Sequence, residues 1–392
     1  MRALDEEWSR SGMPRRLSCI LSLLILVGCA SHPAKTHTPI EKPHQPSSPT
    51  TYRFDGIEAF GSRRHSQAEL LAPYLGAMPA EGTLLDMASK DGDAFIQILA
   101  KGKEQLLAQY GFAMVRNSVT AYEKDRTLRV TVDVVDREDA WRLQYDAAPT
   151  GSVADPAGLL AAWTAYTTRM WQLVKAGAIS SDVTEPCRAF HCFYGPGHPE
   201  LMTLEEPILA GVPKHFATLV LMLRTDTDPS KRETAAYLLA YGPTREAVAE
   251  ALVPAMSDPH EAPRNAAMRV LWELQEKADH PMVPLEKVLR GLQGPLITDR
   301  NKAAGLLSAL VHKDASARDR ILRETGDLLL EMAGTKQLVE RKPALDVLRA
   351  LSRQDFGDDV PAWRAWVEST LSAGSESQPT HKAANQALMS KP

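Results

Sequence analysis

The chain is short of several things. It has 4 cysteines in 392 residues, so it is not a small fold stapled by disulfides. No apolar run is long. The longest, Cys19 to Gly28, falls short of the roughly 20 residues that span a bilayer, which excludes a multi-span membrane protein. Neither sign of charge prevails: 45 Lys+Arg stand against 49 Asp+Glu, a formal net charge of −4, so there is no general basic field for nucleic acid. Catalytic signatures are missing too, with no His-Glu-x-x-His, no Gly-x-Ser-x-Gly, no phosphate loop and no dinucleotide fingerprint. The expectation is a chain with no catalytic residue and no cofactor, one that is not an enzyme. What is present is an ordinary folded composition, 44% hydrophobic and 24% charged. The length suggests two or three domains, each able to bury a core.

The amino-terminal region reads as an address. Arg15 and Arg16 precede the apolar run, and small residues end it, which is the pattern of a secretory signal. Asp5, Glu6 and Glu7 are foreign to such a signal, and Met13-Pro14-Arg15-Arg16 offers a cleaner start than Met1. Leu26-Val27-Gly28-Cys29 resembles the lipobox of bacterial lipoproteins. That resemblance implies removal of residues 1–28, a diacylglycerol on the Cys29 thiol and an acylated new amine. Several acyl chains together give stable anchoring, because each buried CH₂ contributes ~0.8 kcal/mol and one chain is marginal. In that family Ala30, rather than Asp, after the cysteine implies delivery to the outer membrane, here on its periplasmic side. Residues 29–51 then read as a disordered tether, with Pro33, Pro39, Pro43, Pro46 and Pro49 favouring extended backbone.

Residues 52–145 read as a small α/β domain. Tyr52–Phe60 is a predicted strand, Ser66 and Glu69 make a capping box, and Leu70, Leu71, Tyr74 and Leu75 form the apolar face of the helix that follows. A second helix is predicted from about Phe95 to Gln109, with Ile96, Leu99, Leu106 and Leu107 inward and Gly111 as its stop. Two strands close the domain. Leu128-Arg129-Val130-Thr131-Val132-Asp133-Val134 alternates as a half-buried strand does. This β-α-α-β-β order, with Phe60-Gly61, Tyr110-Gly111-Phe112 and the Val130-Val132-Val134 strand, resembles a POTRA domain. The resemblance implies a sheet edge lent to an extended partner, but no barrel strands follow.

From residue 155 the period changes to 3.6. Asp155-Pro156 opens a helix with a stripe of Leu159, Trp163, Tyr166, Met170 and Val174. Three openings then recur: Asp228-Pro229 with Arg232, Asp258-Pro259 with Arg264, and Asp299-Arg300. Ala235-Ala236, Ala266-Ala267 and Ala303-Ala304 follow them. Residues 155–370 therefore resemble a HEAT-repeat solenoid, and the overall fold class is multidomain α+β: a small POTRA-like domain, then an all-α HEAT-like solenoid. The arginines are expected to bond neighbouring turns or acids. Trp363 and Trp366 are expected to cap the last helix pair, and residues 371–392 to form a disordered tail. Glu205-Glu206 reads as a solvated loop pair.

One stretch is chemically loaded, Glu185 to Glu200. Three readings compete there: a disulfide between Cys187 and Cys192, as an oxidising periplasm favours; a zinc site from Cys187, His191, Cys192 and His198; or a reactive thiol. The leading expectation is a periplasm-facing outer-membrane lipoprotein that scaffolds other envelope proteins, held to the membrane by Cys29 and with no nucleic-acid partner. The alternative is a zinc- or thiol-dependent envelope enzyme centred on Cys187–His198.

Overall fold

A computed structural model describes residues 50–179 and 187–376. The signal, Cys29, nearly all of the tether and the last residues of the tail lie outside that range. The amino-terminal part holds β1 (Thr51–Phe60), α1 (Gln67–Leu75), β2 (Leu84–Asp86), α2 (Lys90–Tyr110), β3 (Met114–Tyr122) and β4 (Thr127–Val135). The sheet order is β2-β1-β4-β3; β1 and β4 run parallel and the other neighbours antiparallel. The expected order holds, with the short β2 added between the helices. Ser66 and Glu69 form both halves of the capping box. Gly111 ends α2 in the left-handed region at φ 65°, where a side chain would be strained.

Three expectations change here. The apolar stripe of α1 is Leu70 and Tyr74, one turn apart, which turns Leu75 out to 59% exposure. On α2 the stripe is Phe95, Leu99, Gly102 and Leu106, and Ile96, a third of a turn away, is 47% exposed. β4 is not half-buried: all nine of its residues are buried. Val130, Val132 and Val134 pack under α1 and α2 in one core. On the other face Thr131 meets Gln337 and Asp133 meets Arg300 of the helical body, while Arg129 pairs with Asp55 of β1.

Among the described residues that body has ten helices. They are α3 (Leu159–Lys175), α4 (Pro199–Thr225), α5 (Pro229–Leu239), α6 (Arg245–Leu252), α7 (Glu261–Glu276), α8 (Leu285–Leu292), α9 (Ile297–Lys313), α10 (Arg318–Gly334), α11 (Leu338–Ser352) and α12 (Val360–Glu376). One row runs α3-α4-α5-α7-α9-α11, each helix packed on the next, and α8, α10 and α12 back it in a second layer with the 3₁₀ turn after α6. The alanine pairs at 235–236, 266–267 and 303–304 are wholly buried, so the helices of the row approach closely. The Asp-Pro opening holds for α5, where Asp228 accepts from the Ser230 amide. α7 starts later, at Glu261 with His260 as its cap, and α9 starts earlier, at Ile297. Asp258 and Asp299 each receive an arginine, and Asp258 also accepts from the His260 amide ahead of α7. Trp363 is fully buried, stacks edge-on with Phe356 and donates to the Gly357 carbonyl. α12 continues through Ser372 and Ala373 to Glu376, past the expected start of the tail.

The arginines form a ladder. Arg232 grips Asp258 through two bonds of 2.7 Å, and Arg264 grips Asp299 at 3.1 and 2.9 Å. Arg300 grips Glu340 in the first turn of α11. Each also donates to a carbonyl just ahead of its own helix: Asp226, Asp258 and Pro295 respectively. Bidentate guanidinium–carboxylate pairs fix geometry as well as charge. Arg300 takes a further acid from the sheet, Asp133 at 2.6 Å, and lies 3.8 Å over the Phe60 ring. Glu58 of β1 accepts from the Lys336 and Gln337 amides at the start of α11, where a carboxylate complements the helix dipole.

The chain between sheet and helices is a strap. Tyr145 lies under Arg264, with the guanidinium 4.0 Å from the ring, and the Asp146 amide donates to the Ser257 carbonyl. Gly151 exchanges backbone bonds with Thr225 and Thr227, and the Val153 amide donates to Asp226. The strap thus runs back along the ladder, so the sheet docks near α9 and α11 while the helices begin at the other end.

Removing Arg300 strands two buried carboxylates, so Arg300→Ala is expected to cost about 3–5 kcal/mol in urea unfolding, with Asp133→Asn on top restoring part of the loss. Burial pushes the Glu340 carboxyl up to about 7, with Arg300 pulling it back and Asp133 adding to the rise. Burial raises Asp133 in the same sense. A folded carboxyl that holds its proton more tightly than the unfolded one favours folding at low pH, and that advantage fades as pH climbs through 7. The urea midpoint should therefore rise as pH falls from about 8 to about 5, and Glu340→Gln should flatten the rise.

Candidate functional site

Residues 187–198 of the loaded stretch form an irregular segment leading into α4, and Pro199 and Glu200 already belong to that helix. Cys187 and Cys192 are disulfide-bonded, and the Cys187 to Cys192 loop lies half-buried apart from exposed Arg188 and buried His191. His191 sits 4% exposed with Nδ1 2.6 Å from Glu273 of α7. Its ring packs on Phe193 at 4.9 Å and on Tyr237 of α5 at 5.8 Å. Trp163 joins from α3, 5.9 Å from Phe193 and 5.7 Å from Tyr237. The Phe190 amide donates to the Ala240 carbonyl. Burial pushes the Tyr237 hydroxyl up to about 12, with Arg269 pulling it back, so it stays neutral.

The four residues of the zinc reading do not converge. The two thiols are spent on each other, His191 is turned to Glu273, and His198 begins α4 as its cap residue. Among the described residues no three His, Cys, Asp or Glu side chains are grouped to hold a metal ion. A reactive thiol has no free sulfur in this loop.

The acidic pair Glu205-Glu206 is not in a loop. Both residues lie within α4, and Glu205 is 1% exposed. Tyr241 donates to it at 2.8 Å and Arg188 stands 3.4 Å away. Burial raises the Glu205 carboxyl; the Tyr241 bond and Arg188 pull it back. Glu273, Tyr237 and Tyr241 do not stand out from sequence, and Glu205 stands out there only as half of a solvated pair. Glu205 left a signal: Leu201, Glu205, Ile208 and Val212 share one helix face, an acid inside an apolar stripe.

The second surface of note is the sheet edge. β3, nine residues long, ends the strand order on one side; β2, three residues long, ends it on the other. β3 is anchored at both ends to the helical body. Arg116 pairs with Glu261 at 3.1 Å, and Tyr122 donates to Gln337 at 2.7 Å. Between them Ser118 donates to Asp133. Among the described residues no helix is long and apolar enough to cross a membrane.

No protein-family model, curated protein or solved structure matches the chain. What the two surfaces can do is therefore argued from their own residues. Closing so short a loop contributes about 2 kcal/mol in the chain-entropy description. Cys187→Ser with Cys192→Ser is expected to lower stability by about that amount. Non-reducing peptide mapping should recover the two cysteines in one linked fragment.

Proposed function

We propose that the chain is a lipid-anchored scaffold of the bacterial envelope, with Cys29 acylated in the outer membrane and the folded part facing the periplasm. It carries a POTRA-like sheet domain on a HEAT-like helical stack and recruits an extended segment of another envelope protein to the β3 edge. The observation that carries this reading is β3 itself. A long edge strand offers a row of backbone donors and acceptors, and natural proteins usually blunt such an edge. Here the edge is braced instead: Arg116 and Tyr122 tie it to α7 and to the start of α11. A braced template lowers the ordering cost of strand addition. Around it the arginine ladder makes a stiff support, as a scaffold needs. The lipobox at Leu26-Val27-Gly28-Cys29 and the proline-rich tether supply reach from the membrane.

A photo-crosslinking residue in place of Ala113, exposed just before β3, is expected to trap one discrete envelope protein in intact cells. The same residue in place of Lys103, exposed on α2, should trap none. Equal labelling at both positions, or none at 113, overturns the proposal. Mass spectrometry of the amino-terminal peptide tests the anchor independently and should find acylated Cys29.

A further inference from the structure

The loop closed by Cys187 and Cys192 brings one solvent-accessible cation, Arg188, against a buried carboxylate, Glu205. Glu205 lies in the second turn of α4 among apolar neighbours and is almost wholly buried. Each element packed on it contributes a group. From the residues after α5, Tyr241 donates to Oε1. From α3, Tyr166 feels its charge. On α4, Glu206 adds a like charge. From the loop, Arg188 places Nη1 3.4 Å from Oε2 of Glu205 and Nη2 2.7 Å from Oε1 of Glu206. Oε2 of Glu205 and the Tyr166 hydroxyl have no hydrogen-bond partner. Arg188 is thus the cation that opposes the burial of Glu205 among the described residues. It belongs to no helix. Its position depends on the closure of the loop, on the bond from Phe190 to Ala240 and on the seat of His191 against Glu273.

We infer that the Cys187–Cys192 disulfide is a redox-operated latch that seats Arg188 on buried Glu205, opened by a dithiol oxidoreductase. Both cysteines are only half-buried, so a small dithiol site can reach them. A thiolate of the reductant attacks one sulfur and the other leaves as a thiolate that takes up a proton. The second thiol of the reductant then resolves the mixed disulfide. The loop gains two electrons and two protons, and the reductant departs as its own disulfide. With the loop open Arg188 is released, and Glu205 is left as a buried charge without its counter-ion. That is costly, so α4 and its neighbours α3 and α5 open more often.

The test is hydrogen exchange by mass spectrometry on the full chain, oxidised and then reduced with dithiothreitol. Reduction should speed exchange across α4 and α5 by at least about tenfold in the parent protein. In Glu205→Gln, which has no charge to strand, the same reduction should change it by less than about twofold. Arg188→Gln with the disulfide intact should reproduce the reduced behaviour. Equal acceleration in the parent and in Glu205→Gln would mean that loop entropy alone acts, and the latch is overturned. Unchanged exchange in oxidised Arg188→Gln overturns it as well, and decides the matter even if Glu205→Gln does not fold.

Discussion

The arrangement of this molecule depends on where Arg300 finds its acids. Its side chain is fully buried, and three groups saturate it: Glu340 from the next helix of the row, Asp133 from the sheet and the Pro295 carbonyl. A guanidinium in such a place cannot shed its charge, so it must be surrounded by acceptors of fixed geometry. Two carboxylates for one cation is an excess of negative charge, and burial raises both carboxyls in response. The consequence is positional. The sheet has to lie against the starts of α9 and α11, since only there can Asp133 reach Arg300 and Glu58 meet the open amides of α11.

Everything between follows from that placement. The sheet precedes the helices in the chain but docks near their far end, so the connection must travel back. It does so as the strap over residues 144–155, covering Arg264 with Tyr145 and pairing Gly151 and Val153 with the loop before α5. Strap and ladder therefore shield each other. The pairs Arg232–Asp258 and Arg264–Asp299 are almost wholly buried, where desolvation offsets much of their attraction. Their contribution is better seen as register than as stability: an arginine that fits one acid holds each helix at one offset from the next. The alanine pairs supply close packing, and Trp363 closes the end of the stack.

Some of this was readable one residue at a time. The capping box at Ser66 and Glu69, the stop at Gly111, the alanine pairs and the burial of Trp363 depend on neighbours within a turn or two, so spacing reveals them. The recurrence of Arg232, Arg264 and Arg300 announced structural arginines bonded to acids, and so they are. The disulfide could be anticipated because its cysteines are five residues apart. Elsewhere local pattern misled. Leu75 and Ile96 look like core residues but stand one step off the true stripes. Glu205 looks like half of a solvated pair, although its apolar companions at 201, 208 and 212 mark it as buried. The four candidate zinc ligands are close in sequence, yet the loop sends them in different directions.

The amino-acid sequence by itself determined most of the kinds of element and their order, with β2 and α4 as exceptions, because helix and strand periods, caps and stops are written within a few residues. It also carries the resemblance of Leu26-Val27-Gly28-Cys29 to a lipobox and the run of prolines after it, both outside the described residues. Tertiary structure alone decided the second burial of β4. Arg129, Thr131 and Asp133 alternate with valines as solvent-facing residues do, and nothing local distinguishes water from a distant polar surface. It also decided that Asp133 serves Arg300 across 167 residues, and that His191 meets Glu273 across 82. A buried charge needs a partner, but a sequence states only the need. Which acid meets it depends on the path of the folded backbone, and here the strap sets that path.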